Sequence, residues 1–538
     1  LGQISAVQLK NPWHEDPTMR SLIRQRGRVD AVSERQDTHL AQMEVSAVFQ
    51  ETRAGYQPSI LGTVPSTGTS IHVVSDAVLD ALLAPYRDEL FYLGHVFGST
   101  PLLPMWFKHF GSGEGGAGEA YHLGIFGKTG SGKSVLAKMI LLAYSRHPSM
   151  GILVIDPQGE FAQDMQTGSV PGAMKLPLRE LIGNHGRETR VVRVRNLVLD
   201  RWELFTEILY ESQFFEKLTV PKGDNRRNAC TELEEYLQKK KVKLDELATD
   251  KGFQAMEDAF SDVTIQGRIY RATGARDRFV GALQASVDDG SLRSVWDQVA
   301  YLFSTSRRNA VKIDAVLHSL FEDVERARPV IVLDLSRESA GEANWTDKIA
   351  DIVIKRLLDG LSLTAERHYA EGKSLNTLVI IDEAHRLAPR TDSSSTVKSV
   401  LVDAARTTRK YGLGWLFISQ TLSSIDRDIV SQLRIFFCGF GLSMGQEWQS
   451  LKELAGGSSS LELYQSFRDP HSSFSVESRQ YSFMCVGPVS PLSFYGRPLF
   501  FNAFNTVSEF VGSNLSKRRD RVINVAMPSQ RPIDFNAP

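Results

Sequence analysis

Residues 122–134 read HLGIFGKTGSGKS: an apolar run, Leu123 to Phe126, then Gly127-Lys128-Thr129-Gly130-Ser131-Gly132-Lys133-Ser134. Val135, Leu136, Met139, Ile140 and Ala143 follow at helical spacing. Strand, glycine-rich turn and helix, in that order, are the context that the pattern G-x-x-x-x-G-K-[ST] needs in order to hold a phosphate chain. Glycines let successive backbone N–H groups converge on phosphate oxygens, and the helix amino end adds partial positive charge. Lys133 is expected to reach the β- and γ-phosphates, and Ser134 to give an oxygen to Mg2+. Gly127, Thr129, Gly130, Ser131, Gly132 and Val135 complete the expected nucleotide-binding set, and ATP and Mg2+ are the implied cofactors.

A second run, Leu378-Val379-Ile380-Ile381, ends in Asp382-Glu383. A buried strand carrying Asp382 at its carboxyl end sets that carboxylate beside the water shell of a metal, and Glu383 can polarise an attacking water. The pair implies hydrolysis, since a passive binder has no use for Glu383. A third strand, Leu413 to Ser419, leads to Gln420, whose amide can sense the γ-phosphate if this strand lies between the other two. Arg406, Arg409 and Lys410 precede that strand, and a guanidinium at a subunit edge can stabilise charge growing on the γ-phosphate. Asp156 and Glu160, after the strand Ile152 to Ile155, are equally open to a solvated and a nucleotide-facing reading.

Around these motifs, short apolar runs recur at 123–126, 152–155, 330–335, 378–381, 414–418 and 434–440, mostly separated by helix-like stretches. They predict a doubly wound α/β core with buried parallel strands. From Asp164 to Arg328 the periodicity turns helical, as in Trp202, Leu204, Phe205, Ile208, Leu209 and in Ile313, Val316, Leu317, Leu320, which predicts a helical insertion. Its Lys239 to Lys243 run reads as a solvated helix face. Before the core, Ile4 to Leu9, Gln42 to Phe49 and Ser70 to Val74 alternate as strands do, and glycine-rich Gly111 to Gly118 reads as a boundary loop.

Composition narrows the class. The 538 residues carry 62 Lys and Arg against 63 Asp and Glu, so any grip on a polyanion has to be local. Three scattered cysteines, Cys230, Cys438 and Cys485, offer no zinc framework and fit a reducing compartment. No segment approaches the length of a membrane span, and a cytoplasmic location is expected.

Taken in order, HLGIFGKTGSGKS (122–134), VIDPQGEFA (154–162), LDLS (333–336), LVIIDEAHRLAPR (378–390) and RTTRKYGLGWLFISQ (406–420) resemble the HerA family of hexameric DNA translocases and helicases, in the HerA and FtsK branch of RecA-like ATPases. The resemblance implies a RecA-like P-loop ATPase core with a mainly parallel sheet over 119–505, an N-terminal small β-barrel domain over 1–105, the helical insertion at 165–328, and a tail at 506–538 that crosses onto a neighbouring subunit. By position, Lys133 and Ser134 match the nucleotide-binding pair, Asp382 and Glu383 the metal and water residues, and Gln420 the sensor. Arg409 matches the arginine finger, with Thr408 standing where the family has glycine, and Arg406 is the alternative. A homohexamer threading double-stranded DNA is implied, with Arg386, Arg390 and Lys398 as pore candidates. The implied partner is a NurA-like nuclease or an antiphage defence effector. A conjugation or type IV secretion ATPase and an ATP-dependent scaffold are the competing readings.

Overall fold

A computed structural model of the chain describes residues 1–12, 16–26, 37–53, 55–60, 62, 65–166, 174–321, 327–391, 396–475, 478–493 and 496–515. Eleven strands join in one sheet. In chain order they are β1 (Leu90–Val96), β2 (Leu102–Trp106), β3 (Leu123–Phe126), β4 (Gly151–Asp156), β5 (Thr189–Arg193), β6 (Val330–Asp334), β7 (Thr377–Ile381), β8 (Leu413–Ser419), β9 (Ile435–Gly439), β10 (Tyr481–Val486) and β11 (Leu499–Ala503). Across the sheet they run β2-β1-β11-β10-β9-β3-β8-β7-β4-β6-β5. Every neighbouring pair from β9 to β5 is parallel. The remaining four strands add an antiparallel flank.

All six apolar runs of the sequence are parallel strands here. They read as unbroken apolar runs because both faces of the sheet are covered, so successive side chains enter different cores. Leu153, Ile155, Val379, Ile381, Trp415 and Phe417 face one layer, which includes helices Asp347–Ala370 and Thr396–Thr407. Ile152, Val154, Leu378, Ile380, Leu416 and Ile418 face the other, built on helix Lys133–Ser145. The architecture is the α/β core with buried parallel strands that the apolar runs predicted.

The insertion is helical as its spacing predicts, with Trp202–Glu211, Asp224–Lys239, Asp250–Ser261, Thr273–Asp288, Ser291–Ala300 and Ile313–Phe321 among its helices. Lys239 to Lys243 lie exposed except for Val242, at a solvated helix end. Parts of the insertion are not helical: Leu197–Val198 pairs in parallel with Val311–Lys312, and β5 returns to the edge of the main sheet beside β6.

The N-terminal region differs from expectation. Among the described residues there is no closed barrel. Gly2–Lys10 pairs with Thr38–Val45, and Val48–Thr52 with Gly55–Ser59, as two separate antiparallel ribbons. Ser70 to Val74 form no strand. The apolar strand β1, which a barrel would need, is instead recruited by the core through pairing of Val96 with Phe501 and Gly94 with Ala503. The domain boundary expected near 105–119 therefore falls inside the main sheet, and the glycine-rich loop closes on itself, with Ala117 N donating to His109 O at 2.8 Å.

The first part of the expected tail also stays at home. Helix Val507–Asn514 docks on β1, where Asn514 Nδ2 donates to Tyr92 O at 2.9 Å and Asn514 Oδ1 accepts from Tyr92 N at 2.8 Å. Residues 516–538, with the basic run 516–521, lie outside the described residues. Among the described residues, no helix is long and apolar enough to cross a membrane.

Candidate active site

The turn between β3 and helix Lys133–Ser145 carries three glycines with left-handed or otherwise positive φ: Gly127 (153°), Gly130 (82°) and Gly132 (89°). L side chains are strained there, so the loop can curl inward only with glycine at these places. Ser131 N donates to Lys128 O at 3.1 Å, and Lys128 N to Phe440 O at 3.0 Å, which pins the loop to the end of β9. Ser131 Oγ is buried with no hydrogen-bond partner. Lys133 opens the helix, and its Nζ donates to Lys128 O at 3.1 Å across the loop.

β8 lies between β3 and β7, with Ser419 paired to Phe126 and Phe417 paired to Ile381. That is the placement on which the sensor reading depended. The carboxyl ends of β3, β8 and β7 thus share one sheet edge, which carries the phosphate loop, exposed Gln420 and the Asp382-Glu383 pair. Burial lowers the Lys133 ammonium from its ordinary range, while Glu383, Asp382 and Glu160 act to raise it. The two motifs, some 250 residues apart in sequence, form one electrostatic unit.

Asp382 is 4 % exposed. Burial pushes its carboxyl up to about 7, and the neighbouring charges of Asp156, Glu160 and Glu383 add to the rise. Its Oδ1 accepts from Glu383 N at 3.0 Å. Glu383 itself adopts φ 48°, ψ 44°, the left-handed region, which is uncommon for a residue with a side chain. Its Oε2 is buried without a hydrogen bond, 3.2 Å from His385 Nδ1. The candidate donor set is made of hard oxygens, Ser134 and Asp382, the latter near the carboxylates of Asp156, Glu160 and Glu383. That set fits Mg2+, which takes oxygen ligands and water and would relieve the crowding of negative charge.

Asp156 and Glu160 separate in role. Asp156 is committed to its own turn: Oδ1 accepts from Gly159 N at 2.8 Å and Glu160 N at 3.1 Å, and Oδ2 from Ala162 N at 2.9 Å. Glu160 faces the phosphate-loop helix, 2.6 Å from the buried Lys138 ammonium, which also meets Asp164 at 2.7 Å. Two acidic partners from the one short helix Glu160–Asp164 are what let Lys138 be buried.

The arginines lie elsewhere. Thr408 is fully buried, its hydroxyl 2.7 Å from Ala404 O and accepting from Trp415 Nε1 at 2.9 Å. This fixes the turn Thr408–Tyr411 at the start of β8, about 20 Å of strand away from Gln420. There Arg409 Nε is 3.4 Å from Glu119 and Arg406 is 2.8 Å from Asp428, both half exposed. The chain does not bring either guanidinium to its own phosphate loop. Of the pore candidates, Arg386 is 3.8 Å from Asp347, and Lys398 is 15 % exposed in its side chain and 2.8 Å from Asp426. Arg390 donates its backbone N–H to Ser424 O at 3.0 Å.

Phosphate loop, acidic couple and intervening strand at one edge of a parallel sheet define a P-loop ATPase. Residues 120–358 match the family described as helicase HerA, central domain. No curated protein matches the chain. Among solved structures it is similar to VirB4 of Thermoanaerobacter pseudethanolicus (14% identity, 78% of this chain and 97% of that one, TM-score 0.39). It is also similar to the bacterial conjugative coupling protein TrwBdeltaN70 (12% identity, 83% and 96%, TM-score 0.37). A third likeness is the genome packaging NTPase B204 from Sulfolobus turreted icosahedral virus 2 in complex with ATP-gammaS (8% identity, 71% and 96%, TM-score 0.30).

Proposed function

We propose that the chain is the subunit of an ATP-hydrolysing hexameric motor that translocates on double-stranded DNA and serves a partner nuclease or a defence effector. The observation that carries the chemistry is the strand order, which sets the phosphate loop after β3 and the Asp382-Glu383 pair after β7 at one sheet edge on either side of β8. The match to the central domain of helicase HerA supports DNA as the track.

In this reading the substrate is MgATP. Backbone amides of Gly127 to Ser134 hold the phosphates, and Lys133 neutralises the β- and γ-oxygens. Ser134 and Asp382 are the residues that would hold Mg2+, which would supply neutralisation of the phosphate charge when bound. Glu383 takes a proton from water as that oxygen bonds to the γ-phosphorus and the bond to ADP breaks. Gln420 reads whether the γ-phosphate is present. Arg409, or Arg406, acts on the nucleotide of the neighbouring subunit, which suits its place at the edge opposite the chain's own loop. Arg386 and Arg390 contribute to a pore that sixfold repetition makes basic despite a net charge of -1.

Turnover measured with and without linear duplex DNA tests the motor. Strong stimulation by DNA is expected; stimulation only by a partner protein would replace the motor with a nucleotide-timed scaffold.

A further inference from the structure

The segment that leads into β10 lies against the phosphate loop. A Cβ added at Gly130 would sit 2.1 Å from His471 Nε2, and one added at Gly132 would sit 2.8 Å from Tyr481 Cδ1. The imidazole and the phenol ring therefore pack directly on the second and third glycines of the loop. His471 is held there by a built turn: Asp469 Oδ1 accepts from His471 N at 2.9 Å, Ser472 N donates to Asp469 O at 3.0 Å, and Pro470 is buried. Tyr481 is the first residue of β10 and pairs with Ala503 of β11.

The site has a direction. The acidic pair on β7, with β8 before it, stands on one side of β3, while β9 and β10 stand on the other. A triphosphate whose terminal phosphoryl group faces Asp382 and Glu383 sends its nucleoside the opposite way, toward the flank that carries His471 and Tyr481.

We propose that His471 and Tyr481 form the nucleoside wall of the ATP site, with Tyr481 giving an aromatic surface to the base and the His471 imidazole a hydrogen bond to the sugar. This rests on the reading of the phosphate loop as the ATP site. It divides the work: Lys133, Asp382 and Glu383 govern turnover, and the β10 flank governs preference for a nucleoside triphosphate over a bare polyphosphate.

Calorimetric affinity for a non-hydrolysable ATP analogue and for inorganic tripolyphosphate, measured on the full chain, tests the wall, together with steady-state KM and kcat. In His471→Ala and Tyr481→Leu, analogue binding is expected to weaken about tenfold and KM to rise in step, the loss of one hydrogen bond or packing contact. kcat should stay within about twofold, and tripolyphosphate should bind as to the unaltered chain. His471→Gln, which keeps a hydrogen-bonding amide, should lose less than His471→Ala. Unchanged analogue affinity, or an equal loss for tripolyphosphate, would overturn the wall; the second result would mean that both residues merely prop the loop. Lys133→Ala separates the layers, because it should weaken both ligands. If the unaltered chain binds neither, the phosphate-loop reading falls and the wall falls with it.

Discussion

Glu383 Oε2 and His385 Nδ1 stand 3.2 Å apart, yet that oxygen makes no hydrogen bond and is shut away from solvent. A buried carboxylate oxygen with spare capacity to accept is what a general base needs, and the backbone holds it there at a cost.

Replacing the proposed base while keeping its shape isolates the chemical step. Glu383→Gln should bind ATP as well as the unaltered protein and lose turnover by a factor on the order of 10²–10⁴. Turnover that persists at the original rate would remove Glu383 from its assigned role.

Backbone conformation at the same residue gives a stability test independent of catalysis. With φ at 48°, any side chain is strained, and glycine is not. Glu383→Gly should therefore melt above Glu383→Ala, by about 1 kcal/mol, in calorimetric scans of the two inactive variants. A glycine variant that melts lower would show that the conformation is not under strain.

Asp382 makes nucleotide-free stability depend on pH. Its folded pKa, about 7, lies above that of an unfolded aspartate, so the folded state holds the proton more tightly. The stability this confers is full below the unfolded value and is lost as pH rises toward about 7. In magnesium-free buffer, Asp382→Asn should melt higher than the unaltered chain at pH 8, and the gap should close below pH 4. A gap of the same size at both ends would contradict the burial argument.

The distance from Arg409 to its own phosphate loop predicts complementation. Alone, Lys133→Ala and Arg409→Ala should each lose hydrolysis, the latter by about 10³. Mixed and reassembled, they should recover part of it, since some interfaces then pair an intact loop with an intact arginine. A mixture as inactive as its components would place the arginine's action within one chain or nowhere. The same experiment on Arg406→Ala decides between the two guanidiniums.

Much of the candidate edge was legible in the sequence because it is built from local patterns. A strand-glycine-helix run and an apolar run ending in Asp382-Glu383 each specify their own geometry, and parallel strands buried on both faces announce themselves as unbroken apolar runs. What escaped was long-range pairing. The pattern in Leu90 to Val96 reads as a strand, but nothing local says that its partner is Phe501 rather than a barrel neighbour. His471 and Tyr481 escaped for the same reason: neither belongs to a motif, and only the fold lays them on Gly130 and Gly132. The one legible hint was the glycines themselves, which leave room for a neighbour without naming it.

The pairing of β1 with β11 has a consequence for how the polypeptide is made. The hairpin of β1 and β2 leaves the ribosome about 400 residues ahead of the strand that must flank it, which at about 5–20 residues per second is a wait of roughly 20–80 s. Through that interval the apolar side chains of Leu90 to Leu93 have no sheet to join. The newborn chain thus passes through a long window of vulnerability to clumping that the finished fold conceals, and holdase chaperones would find their handle there.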